Sequence, residues 1–149
     1  MATNLTILAA IATALAAVII GPFVTLRVAK QQIRAQTISA NRHAWINSLR
    51  DELAAFLSLI TSLAFPIMDA NRFRQAAEEL ILVHSKIKLR LNPKEQDHVQ
   101  MNDLLNRAYE SAISSDDKER RTVHTKRDEI TALSQVILKR EWERVKAGD

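Results

Sequence analysis

The hydrophobic pattern changes character once along this chain. From Leu5 to Leu26 the sequence LTILAAIATALAAVIIGPFVTL contains no ionisable side chain, and the first charge is Arg27. As a helix rising about 1.5 Å per residue, this stretch spans roughly 33 Å, enough for a hydrocarbon core of about 30 Å. A cleavable signal peptide fits poorly, since it needs a basic start and a core of only about 7–15 apolar residues. The pattern predicts an N-terminal transmembrane helix over residues 1–26.

Beyond it, apolar residues recur at three- and four-residue steps, the period of amphipathic helices. Residues 27–40 (RVAKQQIRAQTISA) are polar with scattered apolar positions and read as a short basic stalk continuing the helix. A first stripe then runs through Trp45, Leu49, Leu53 or Phe56, Leu57, Ile60 and Ala64, and Pro66 ends it near Phe65. A second helix is expected from about Asp69 to Leu91 on Phe73, Ala76, Ala77, Leu80, Val83 or His84, Ile87 and Leu91. Asn92 as N-cap, Pro93 at the first helical position and Glu95 in the capping-box position predict a third helix, carried to Ile113 by Met101, Leu104, Leu105, Ala108, Tyr109 and Ala112. Ser114-Ser115-Asp116-Asp117 opens a last helix to about Lys146, with Val123, Ile130, Leu133, Val136, Ile137 and Trp142 as its stripe. The fold class is therefore all-α: a membrane-spanning helix leading into an antiparallel bundle of about four helices over residues 41–149.

Composition supports this. Two glycines, three prolines and one tyrosine are too few for a turn-rich sheet protein. The formal charge of +4 is unevenly placed. Arg27, Lys30, Arg34, Arg42 and Arg50 precede the first acid, Asp51, and acids and bases nearly balance after it. Basic residues flanking a span stay on the cytoplasmic side, so the N-terminus is expected outside and the bundle in the cytoplasm. Such a collar suits anionic lipid headgroups, whereas nucleic acid would need a basic face on the bundle itself. The absence of cysteine removes disulfides, thiol catalysis and Cys-based zinc sites.

Within the span, Ala9, Thr13, Ala17, Gly21 and Thr25 recur four apart, giving one nearly smooth face. Small residues let helices approach closely, so Ala9, Thr13, Ala17 and Gly21 are candidates for a helix–helix contact and a homo-oligomer. Gly21-Pro22 predicts a kink. Arg27, Lys30, Arg34, Arg42, Trp45 and Arg50 are candidates for the lipid interface, with core packing the competing role for Trp45.

Catalytic patterns are missing. Glycines only at 21 and 148 rule out nucleotide-binding glycine loops. Glu95-x-x-His98 has the spacing of helical di-iron ligands, but no second copy accompanies it and Glu95 is explained by capping. No cofactor or metal is implied, and the chain reads as non-enzymatic.

The segment Asn41–Ala54, NRHAWINSLRDELA, following a span, resembles the juxtamembrane part of a loose set of small uncharacterised bacterial inner-membrane proteins with an N-R-x-x-W-I-x-x-L-R-x-E-like helix. The resemblance covers about residues 5–60. It implies a bacterial inner membrane and carries no catalytic residues. Two roles follow: a single-pass anchor that self-associates or docks on a larger membrane complex, or an oligomeric pore- or channel-like effector. Only Thr6, Thr13 and Thr25 lend polarity to the span, which favours the anchor.

Overall fold

A computed structural model describes the backbone of residues 2–65 and 69–147, and side chains from Pro22 onward with Val18 (Ala35 excepted). Five helices follow one another: α1 Ala2–Ala64, α2 Ala70–Arg90, α3 Gln96–Ile113, α4 Asp117–Arg121 and α5 Val123–Ala147. No strand occurs among the described residues. Two compact units divide the chain, Met1–Ala40 and Asn41–Gly148.

The first unit is the N-terminal part of α1, which runs as helix through Pro22. Among the described residues no helix is long and apolar enough to cross a membrane. Most side chains of the expected span, and all of the Ala9, Thr13, Ala17 and Gly21 row, lie outside the described residues. From Pro22 to Ile38 nearly every described side chain is exposed, including Phe23, Leu26 and Ile33 and the basic Arg27, Lys30 and Arg34.

The second unit is a bundle of the remainder of α1 with α2, α3 and α5. Its up-down order can be read from cross-helix contacts. Glu52 meets Arg90 while Phe56 meets His84, so α1 and α2 run antiparallel. His84 stacks on Tyr109 while Asn92 bonds to His98, reversing α2 against α3. Asp97 meets Arg140 and Ser111 meets Lys126, reversing α3 against α5. The core joins all four helices: Leu49, Leu53, Phe56, Ile60 and Leu63 from α1, Leu80, Val83 and Ile87 from α2, Met101, Leu104, Leu105, Ala108 and Ala112 from α3, and Val123, Ile130 and Ile137 from α5.

Local chemistry sets the ends. Asp69 caps α2, its Oδ1 accepting from the N–H groups of Asn71 and Arg72 at 2.9 and 3.0 Å. The start of α3 differs from expectation. Asn92 and Pro93 open a turn rather than a helix: Asn92 Oδ1 accepts from the Lys94 N–H, the Glu95 N–H reaches the Asn92 carbonyl at 3.1 Å, and α3 begins at Gln96. The same residue types serve both purposes, Pro at the second turn position and Asn before it. The last helix is also interrupted. Asp116 caps the short α4, and at Thr122 the N–H and hydroxyl both return to the Glu119 carbonyl, closing a tight turn before α5. Val136 and Trp142, assigned above to the buried stripe, are 59% and 42% exposed, while Ser134 and Glu141 are buried.

Candidate functional site

One end of the bundle, where its α1 portion and α3 begin and α5 ends, gathers ionisable groups. Arg140 stands at its centre. Its Nη1 donates to Asp97 Oδ2, its Nη2 to Glu95 Oε2, and its Nε lies 3.3 Å from Glu141 Oε1. Arg144 adds a bond to Glu141 Oε1 at 2.7 Å and lies 3.5 Å from Glu95. Arg42 approaches Glu141 from α1 at 3.9 Å. Burial works against the charged forms of Glu95 and Asp97. Bonds to Asn92 (for Glu95) and Arg140 (for Asp97), with the positive field of Arg140, outweigh it and hold both carboxyls below their ordinary range.

His98, buried, closes the cluster. Its Nδ1 accepts the Asn92 N–H at 2.8 Å, and its ring stacks on Trp45 with centroids 6.1 Å apart. In the neutral ring the remaining proton then sits on Nε2. Arg140 Nη2, 3.2 Å from that nitrogen, is itself only a donor, so their approach is packing rather than a hydrogen bond.

Glu95, Asp97 and His98 place three potential ligand atoms within 4.8 Å of one another, which renews the metal reading of Glu95-x-x-His98. The donor set is already spent. A guanidinium spans the two carboxylates, and the imidazole acceptor is committed to the backbone of Asn92. A metal would have to displace Arg140 and leave it beside its own charge. The cluster is a structural clasp joining α1, α3 and α5.

A second cluster resembles catalytic machinery more closely. Lys126 Nζ lies 2.5 Å from Ser111 Oγ, a nucleophile–amine pair. Such a pair works only with a neutral amine. Here Lys126 Nζ also donates to Glu119 Oε1 at 2.8 Å and to Thr122 Oγ1 at 2.8 Å, so it is engaged in an ion pair rather than aimed at Ser111 as a base. The bonds from Lys126 and Ser111 in turn hold the Glu119 carboxyl below its ordinary range. Ser111 is fully buried, and its hydroxyl reaches the Arg107 carbonyl at 2.8 Å. These groups pin the end of α3 to the α4–α5 junction.

His84 lies between Phe56 and Tyr109, at 5.7 and 5.4 Å, with its Nε2 buried and unpartnered. Burial, and secondarily the charge of Lys88, lower its pKa below 6.5, against a bond with Asn106 that raises it. The folded state therefore prefers neutral His84. Stability should fall as pH drops below 6.5 toward the lower folded value, because the unfolded chain takes up the proton first. A His84→Phe variant should lose that part of the acid sensitivity in urea unfolding at pH 7.5 and 5.5. An unchanged difference between the two pH values would show that His84 is not the source.

Of the proposed interface residues, Arg27, Lys30, Arg34 and Arg50 are exposed, while Arg42 and half-buried Trp45 lie against the clasp. Arg140, Glu141 and Lys126 escaped sequence reasoning. The partner of Arg140 in Asp97 lies 43 residues away, and no spacing rule connects them. No family model, no curated protein and no solved structure matches this chain.

Proposed function

We propose that the chain is a non-enzymatic, single-pass membrane anchor of the bacterial inner membrane, whose cytoplasmic bundle self-associates or docks on a larger membrane complex. The observation that carries this is the uncharged stretch Leu5–Leu26 followed by five basic residues before the first acid. The bundle supports an interaction role in a second way. Its two polar clusters are saturated by their own members, so neither presents a free nucleophile or open ligand set. Among its many exposed polar side chains α2 also presents three large apolar ones outward, Ile81, Leu82 and Leu89, the last 88% exposed.

Topology is the direct test, and a cysteine-free chain suits it. A Cys replacing Thr3 should react with an impermeant thiol reagent in intact cells, and one replacing Ser115 should react only after lysis. The protein should also remain in the membrane pellet through an alkaline carbonate wash. Reversed labelling would sink the orientation, and release by carbonate would sink the anchor.

A further inference from the structure

Two faces of the bundle complement each other without being able to meet in one chain. On α2, Leu89 stands almost wholly exposed, and Leu82 and Lys86 share its face at helical spacing. Leu80, Val83 and Ile87 occupy the opposite, buried side of that helix. Between α3 and α5 lies an open groove of about 420 Å³, lined by Leu104, Ala132, Leu133 and Val136 with the polar Gln100 and Glu129. We propose that Leu89 of one copy seats in the α3–α5 groove of a second copy. This contact rests on the membrane anchor proposed above and gives its self-association a defined surface.

Height and direction are the first argument. His84 lies beside Tyr109 and Asn92 beside His98, while Asp97 lies beside Arg140 and Ser111 beside Lys126. Leu89, between His84 and Asn92, therefore stands level with the stretch from Gln100 to Leu104 on α3. The same level on α5 runs from Leu133 to Val136, so the exposed leucine and the groove sit at one height of the bundle. A second copy rotated about an axis along the helices, with no rise, brings the two together. In that arrangement the incoming α2 runs antiparallel to α3 and parallel to α5, as it does within its own bundle. The Asn41 ends of both bundles then lie on the same side, as chains anchored in one membrane require. The contact is heterologous, a knob on one surface meeting a groove on another, and it repeats in one plane.

Charge is the second argument. Glu129 lines the groove, is exposed, and makes no ion pair among the described residues. Lys86, one turn before Leu89, is exposed and likewise makes none. With Leu89 seated between Leu133 and Val136, Lys86 comes level with the turn from Glu129 to Ala132. Each copy thus brings an unspent cation to an unspent carboxylate of its neighbour. A leucine with its immediate neighbours covers far less than the roughly 1,200 Å² at which stable interfaces in solution begin. Confinement of both copies to one membrane raises their effective concentration and lets so small a contact form.

The test exploits the absence of native cysteine. Two differently tagged full-length chains, one carrying Leu89→Cys and the other Val136→Cys, are coexpressed and treated in cells with a short membrane-permeant bismaleimide. A product containing both tags should form, and neither chain expressed alone should yield a dimer. Leu89→Cys paired with Lys118→Cys, on α4, should give no product either. Lys86→Glu in the first chain should lower the mixed product about fivefold, the pair being replaced by two like charges. Glu129→Lys in the second chain should then restore it. All of these positions except Leu133 and Leu104 of the groove wall are exposed and none of the substitutions touches the core, so helicity should be unchanged. A dimer from the Leu89→Cys chain alone would overturn the proposal in favour of a symmetric α2–α2 contact. An unchanged yield with Lys86→Glu, or equal product with Lys118→Cys, would overturn the seating. Retention in the carbonate pellet without the mixed product would overturn the contact alone, whereas release in that wash would remove the anchor and the contact with it.

Discussion

Replacing Phe56 by alanine should cost the bundle about 3–5 kcal/mol, the usual loss when a fully buried phenylalanine leaves a cavity. Phe56 is completely buried in the core shared by the four helices, so its ring is surrounded on every side. Against a total stability of about 5–15 kcal/mol for a domain of this kind, that loss brings the fold close to its limit. Urea unfolding of the full chain followed by circular dichroism would measure it. Leu89→Ala is the control, because Leu89 is almost wholly exposed and its loss should stay within about 0.5 kcal/mol. Comparable losses at the two positions would mean that Phe56 is not the centre of the core. A second readout follows from the contact of Phe56 with His84. Water entering the cavity would relieve the burial that keeps His84 neutral, so the acid-sensitive part of the stability assigned to His84 should shrink as well.

The stripes that define this core could be read in the sequence because burial in a helix repeats with the helix. Leu80, Val83 and Ile87, or Met101, Leu105, Ala108 and Ala112, are buried at the expected steps. Ile46 and Leu63 are buried too, although each sits beside an apolar residue that carries the pattern equally well. Periodicity alone does not choose between adjacent apolar positions at the edge of a stripe. On α5 the pattern gave way to polar partners. Glu141 is buried because Arg140, Arg144 and Arg42 meet it there, and Trp142, one residue on, turns to the outside. The start of α3 went the other way for a local reason, since Asn-Pro signals a turn as readily as a cap. None of the long-range pairs at the clasp or around Ser111 could be read, because their partners belong to different helices. Arg50 was read as one of the basic collar residues before the first acid, whereas its nearness to Lys139 and Trp142 appears only once α5 lies against α1.

Removing the guanidinium of Arg140 should be nearly as costly as the core truncation. Taking away one partner of a buried ion pair costs about 3–5 kcal/mol, because the other charge stays behind unpaired. Here the Arg140 side chain is 33% exposed and those of Glu95 and Asp97 are 25% and 19% exposed. Water relieves part of the penalty, and about 2–3 kcal/mol is expected for Arg140→Gln at pH 7. Most of this should return when Glu95→Gln and Asp97→Asn are added, since the stranded charges are then gone. The pH dependence gives an independent check. Both carboxyls are held below their ordinary range in the folded chain. Their contribution is therefore complete above the unfolded values of about 4 and is lost as pH falls through the lower folded values. Without Arg140, the Asn92 bond and Arg144 (for Glu95) and His98 (for both) still oppose burial, so the two carboxyls should move back toward their ordinary range and acid should destabilise the variant at this site less than the parent. The stability curves of parent and Arg140→Gln should be well separated at pH 7 and draw together toward pH 3. Parallel curves would show that the guanidinium of Arg140 is not what holds these carboxylates in place.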